Sequence, residues 1–132
     1  MNSFNFKKWN TILGWSTFMV ALITYSLTVE PTMSFWDCGE YIATSANLEV
    51  GHPPGARLFQ MLGAFFAMFA FSPDKIALMV NYLSVFSSAF TVLFMFWSLT
   101  ILLKKLIIGE KELSTNNAIM ILGSAAVASL SF

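Results

Sequence analysis

Glu30 to Arg57 reads EPTMSFWDCGEYIATSANLEVGHPPGAR. In a chain of 132 residues this stretch holds four of the 7 acidic residues, the 1 His, the 1 Cys, the single Arg and three of the 4 prolines. The sequence on both sides of it is apolar. An ionisable segment between membrane-length apolar runs marks a place for chemistry at a membrane surface, so the fold turns on what brackets it.

The bracketing is long. From Trp9 to Val29 there is no charged residue, and from Ile76 to Leu103 there is none either. At 1.5 Å per residue each run reaches across a hydrocarbon core of about 30 Å. The composition agrees: 57% hydrophobic and 11% charged, where soluble domains carry about 25% charged residues. The fold class expected is all-α, a polytopic transmembrane helical protein. The net charge of +0 offers no basic patch for nucleic acid. One cysteine excludes an intrachain disulfide and a cysteine-based zinc site, and Cys38 reads as inert packing.

Lys7 and Lys8 precede the first run, which is too long for a cleaved signal peptide. By the positive-inside rule they start the first span in the cytoplasm, and Glu30 onward emerges on the outer face. Pro31 ends that helix. Ser34 is a candidate N-cap for a second helix over about 35–49, with Gly51 as its stop. Asp37, Glu40, Tyr41, Thr44 and Leu48 share one face of it, and Phe35, Trp36 and Tyr41 suit the headgroup level. His52 precedes Pro53 and is pushed toward extended backbone, while Pro54 can open the next helix. Leu58–Phe71 is an uncharged run of 14 residues, short for a span and suited to an interfacial or re-entrant helix. Ser72-Pro73-Asp74 breaks it. Lys104, Lys105 and Lys111 then fall in the cytoplasm only if 58–71 does not cross. Charge and length therefore agree on spans at about 9–29, 76–103 and 117–132, with residues 30–74 an outer loop carrying juxtamembrane helices. The closing run AIMILGSAAVASLSF has no polar flank, so the chain is expected to be the N-terminal part of a longer protein.

Asp37 and Glu40 stand three apart on the expected helix, with Cβ atoms roughly 5–6 Å from each other. Two carboxylates this close at a low-dielectric interface raise one pKa and keep the other ionised, which suits general-base work. Ser34-x-x-Asp37 also has the form of a capping box, which would make Asp37 a structural cap. His52 can hydrogen-bond a phosphate or a carboxylate, or be an ordinary polar loop residue. Arg57 can hold a lipid phosphate at a helix N-terminus or anchor the helix at the interface. No Asp, Glu, Lys, Arg or His lies inside the expected spans, which favours interfacial chemistry over ion-coupled transport.

The segments FWDCGEYIAT (35–44) and GHPPG (51–55) resemble the bacterial membrane proteins called protein O-mannosyltransferase-like. The wider pattern is similar to protein O-mannosyltransferases and lipid A aminoarabinose transferases of the GT-C superfamily. The resemblance implies the N-terminal part of a larger GT-C-like domain, in which a first span, an acidic outer loop and a Pro-Pro element opening a juxtamembrane helix follow in order. It implies that Asp37 is the catalytic base, with Glu40 in the same motif. The mannosyltransferases place their acid pair side by side, whereas Cys38 and Gly39 intervene here. Their His-Pro-Pro continues Leu-Gly-Lys, and this chain continues Gly55-Ala56-Arg57, keeping a basic residue in place. His52, Arg57 and Tyr41 become the substrate-binding candidates. The implied reaction moves a sugar, mannose by the resemblance, from a polyprenyl-phosphate donor to a Ser or Thr hydroxyl of an exported protein, at the periplasmic face of the inner membrane. The leaving lipid phosphate is a competent anion, so neither a metal nor a cofactor is demanded. The alternatives are a GT-C transferase acting on a glycolipid, and a non-catalytic membrane scaffold or transporter subunit.

Overall fold

The computed structural model describes residues 5–53, 56–108 and 113–131. They form an all-α chain: α1 (Phe6–Thr28), α2 (Cys38–Asn47), α3 (Arg57–Ala67), a 3₁₀ turn at Pro73–Lys75 running into α4 (Ile76–Ile108), and α5 (Thr115–Leu130). Two helical stretches, Phe6–Thr28 and Pro73–Ile107, are long and apolar enough to cross a membrane. With 23 residues α1 is about 34 Å long. The 16 residues of α5 give about 24 Å, less than a hydrocarbon core. The 11 residues of α3 give only about 16 Å.

The helix ends differ from the sequence reading for local reasons. The first helix starts at Phe6 because Asn5 Oδ1 accepts the Lys8 backbone N–H at 3.0 Å, the bond of an N-cap. The long helix runs on to Ile108, since Lys104 and Lys105 are good helix formers and do not end it. The second helix is shorter than 35–49 at both ends. Trp36 sits at φ 64, so no helix can run through it. Leu48 at φ 54 closes the helix, its N–H and that of Glu49 turning back to Ser45 O and Thr44 O. Gly51 is therefore not the stop. The third helix ends at Ala67, four residues early, because Phe69 and Ala70 donate to carbonyls three residues back and tighten the chain. Pro54 and Gly55, expected to open this helix, lie outside the described residues; Ala56 is its N-cap.

The chain divides into two compact units, residues 1–24 with 88–132, and residues 25–87. In the first, Phe96, Leu122 and Ala125 form a buried cluster with Leu13, Trp97, Leu99 and Leu103 packed on it. A Cβ at Gly14 would lie 2.5 Å from Trp97 Nε1, so the glycine is what admits the indole beside α1. Trp15 meets Trp97 edge-on at 6.1 Å, and Phe18 lies 4.8 Å from Phe90. At the other end of this unit Lys104 Nζ stands 5.3 Å from the centre of the Phe6 ring. On α5, Ala118, Ile121, Leu122, Ala125 and Ser129 face inward, yet Ile119, Met120 and Val127 face outward. Apolar side chains on both faces mark a helix whose outer surroundings are also apolar.

In the second unit α2 packs on α3. The contact is made by small residues: a Cβ at Gly63 would meet Ser45 Oγ at 2.6 Å and Ser45 Cβ at 2.9 Å. Backbones approach this closely only where a side chain is missing. Ser45 is fully buried and its hydroxyl has no hydrogen-bond partner. The two residues should therefore respond in opposite ways. Gly63→Ala is expected to lower stability by about 1–3 kcal/mol, since Ser45 Cβ cannot rotate away. Ser45→Ala removes only an unsatisfied hydroxyl and should leave the melting temperature unchanged or raised. Thermal unfolding of the detergent-solubilised protein separates the two outcomes.

Candidate functional site

The site begins with the way α2 starts. Asp37 occupies the N-cap position at φ −73, ψ 3, and its carboxylate makes no capping hydrogen bond. The helix uses its carbonyl instead, which accepts the Tyr41 N–H at 3.0 Å. Ser34 is not the cap, and the expected capping box does not form. The exposed Asp37 carboxylate is left uncommitted to the helix.

Three residues on, Glu40 points toward the loop that returns from α2. Its Oε1 accepts the His52 backbone N–H at 2.8 Å, and its Oε2 lies 2.5 Å from His52 Nδ1. Both carboxylate oxygens are thus taken by one residue, twelve positions along the chain. Leu48 makes this possible by reversing the chain at the end of α2. Gly51 makes it possible by occupying no space: a Cβ there would sit 2.9 Å from Gln60 Nε2 and 3.0 Å from Glu40 Oε1. Proline at 53 holds His52 away from helical backbone, which leaves its N–H free to reach Glu40.

These contacts hold the Glu40 carboxyl below its ordinary range. The backbone hydrogen bond from His52 is the largest cause and the ring hydrogen bond the next; partial desolvation opposes them, and the His52 charge adds a smaller lowering. Of the acid pair, Glu40 is therefore the internally bonded member. Donor atoms of Asp37, Glu40 and His52 all lie within 4.8 Å of one another. An oxygen, oxygen, nitrogen set of this kind can hold a divalent cation, but the ion would have to displace the proton on His52 Nδ1 from Glu40.

The remaining candidates are Tyr41 and Arg57. Tyr41 packs edge-on against Phe59 at 5.6 Å, and with Ala56 the two line an apolar cleft of about 190 Å³. Arg57 is the first residue of α3, exposed, and forms no ion pair with Asp37 or Glu40. The expected five-residue face is reduced to Glu40, Tyr41 and Thr44, because Asp37 precedes the helix and Leu48 has left it.

Two side chains that support the site lie inside runs read from the sequence only as apolar. Gln60, 6% exposed, donates to Thr44 Oγ1 at 3.1 Å, and Thr44 Oγ1 in turn donates to Glu40 O at 2.8 Å. Asn81 of α4 donates to the backbone carbonyls of Glu30 and Thr32 at 2.8 and 2.9 Å. The available signal was a lone amide in each greasy helix, a group that is costly to bury unless it is bonded.

Two helices long and apolar enough to cross a membrane, with an acid–histidine cluster on the segment between them, are the features a family assignment has to fit. Residues 37–132 match the family described as Protein O-mannosyl-transferase TMEM260 N-terminal domain, and the chain belongs to that family. This agrees with the O-mannosyltransferase-like family, N-terminal part, expected from the motifs. The chain is also 42% identical over 50 residues to the Protein O-mannosyl-transferase tmem260 of Dictyostelium discoideum. That match covers 38% of this chain and 6% of the relative, so the chain spans a small part of the relative's length. No solved structure matches it.

The Glu40–His52 contact should be pH-dependent in a defined direction. The folded value of Glu40 lies below its ordinary 4.5, so the contact contributes fully above that value and is lost as the pH falls through the lower folded one. Hydrogen exchange of residues 49–52 should accordingly stay flat from neutral pH down to about 5 and rise, corrected for intrinsic rates, below 4.5. Glu40→Gln should show the fast exchange already at neutral pH.

Proposed function

We propose that this chain is the N-terminal membrane segment of a GT-C-type glycosyltransferase. It moves mannose from a polyprenyl-phosphate donor to a Ser or Thr hydroxyl of an exported protein. The observation that carries this reading is the Asp37 carboxylate, exposed at the head of α2, uncommitted to capping, and beside an already satisfied Glu40–His52 pair. Membership of a family described as protein O-mannosyl-transferase supplies the reaction class.

In this reading Asp37 takes the proton of the acceptor hydroxyl. The hydroxyl oxygen bonds to the anomeric carbon, the bond from that carbon to the lipid phosphate oxygen breaks, and the configuration inverts. Glu40 is the weaker candidate for base, because its two oxygens accept hydrogen bonds that stabilise its anion. Its part is to fix His52 and the loop that carries it. His52 and Arg57 are the phosphate contacts in this proposal, and the Tyr41–Phe59 cleft offers an apolar wall to the sugar face or to the first part of the lipid.

The membrane arrangement follows charge and length. Lys7 and Lys8 on one side and Lys104 and Lys105 on the same side put residues 30–74 on the outer, periplasmic face of an inner membrane. The short α3 lies along the interface there, and α5 begins a third crossing. Lipid-linked sugar at the membrane surface then meets the site without leaving the bilayer.

The test compares the full-length protein with its Asp37→Asn variant, in membranes, for transfer of radiolabelled mannose from polyprenyl-phosphate mannose to an exported-protein fraction. Asp37→Asn is expected to lower kcat by roughly 10²–10⁴, the range for a positioned base. Equal transfer by both, at equal expression, would sink the assignment. A chelator should leave the wild-type initial rate unchanged, because the leaving phosphate needs no Lewis acid and Glu40 is occupied by His52. Loss of transfer on chelation, restored by a divalent ion, would turn the Asp37–Glu40–His52 set into a metal site.

A further inference from the structure

The segment that delivers Asp37, residues 29–37, has no regular secondary structure. It leaves α1 through Pro31, which has no N–H and cannot continue a helical ladder. The carbonyls on either side of Pro31, Glu30 O and Thr32 O, lie past the last helical residue, Thr28, and outside any helical ladder. The turn closes partly on itself, since Glu30 Oε1 accepts Thr32 Oγ1–H at 2.8 Å and the Thr32 N–H at 3.3 Å. Nothing in that closure fixes where the turn sits.

Asn81 does. It lies in the second turn of α4, about fifty residues away in sequence, and its Nδ2 donates to both of these carbonyls. Both hydrogens of the amide are used on one turn. The neighbours of Asn81 on α4, Val80 and Leu83, are buried, so the amide stands on a packed helix and not on a mobile loop. The amide is half-buried in an apolar stretch of α4, and two backbone acceptors meet it there.

We infer that Asn81 is a positioning residue for the Asp37 segment: it pins the Glu30–Thr32 turn to α4 and so sets where the following five residues present the carboxylate. The functional half of this inference rests on the proposed transfer reaction; the structural half does not. Asn81 touches neither substrate nor reacting atoms in this role. Its loss should slow the chemical step without weakening donor binding.

The experiment uses the full-length protein in lipid nanodiscs and reads two quantities. Asn81→Leu keeps the branching at Cγ and removes both donors. Hydrogen exchange over residues 32–37 should become faster while exchange over α3 stays unchanged. Donor KM should hold while kcat falls by about 10- to 100-fold, the scale for a misplaced catalytic group. Asn81→Gln, which keeps the donors one methylene further out, should recover part of both effects. If the leucine variant does not accumulate, Asn81→Asp, whose carboxylate faces the two carbonyls, supplies the same readouts. Unchanged exchange over 32–37 overturns the inference, and so does a raised KM with kcat preserved, which would make Asn81 a substrate contact. If the wild type transfers no mannose from the donor, the proposed function falls, and the exchange arm still decides whether Asn81 holds the turn.

Discussion

Glu40 gives both of its carboxylate oxygens to His52, and the polar part of this chain is arranged around that pair. The contact ties the end of one helix's loop back to its first turn, so the segment from 40 to 52 closes on itself. Three conditions have to hold together for it. Leu48 must take a left-handed backbone to reverse the chain, Gly51 must present no side chain, and His52 must keep its N–H out of a helix, as Pro53 ensures. With Glu40 engaged in this way, Asp37 is the carboxylate that remains available at the head of α2.

Close approach recurs as the means of assembly. Gly63 against Ser45, Gly51 against Gln60 and Glu40, and Gly14 against Trp97 are each places where a methyl group would collide. Where the surroundings are as apolar as the interface, burial gives little preference for one packing over another, and fit between surfaces has to supply it. Small residues at the crossing points provide that fit. The unsatisfied hydroxyl of Ser45 shows that tight packing was kept at the expense of a hydrogen bond.

Amides then supply the fixed points. Gln60 and Asn81 are uncharged, so they pass unnoticed in an apolar run, yet each reaches a polar group on a different segment. One supports the backbone beneath Glu40 through Thr44, and the other holds the turn upstream of Asp37. The acid pair is held from two sides by groups that carry no charge of their own and do not disturb the electrostatics of the site.

Much of this was legible without the structure. Long uncharged runs announced the all-α, membrane-length helices, because the length of an apolar run is read directly in residues. The brevity of 58–71 announced a helix too short to cross. The grouping of Asp37, Glu40 and His52 in one polar stretch that runs into a His-Pro-Pro element announced the side-chain cluster and the family. The tertiary structure alone decided which of the two carboxylates is hydrogen-bonded to His52. A capping box was a fair reading of Ser34-x-x-Asp37, but Trp36 takes a left-handed conformation that sequence does not disclose, and the helix starts too late for that cap. Spacing placed Asp37 beside Glu40 on one helix face, and chain reversal at Leu48 gave Glu40 to His52. Sequence determines local period, length and charge, which are properties of neighbours along the chain. Which acceptor an amide finds, and which acid a returning loop engages, depends on residues twelve to fifty positions away, and only the folded chain brings those together.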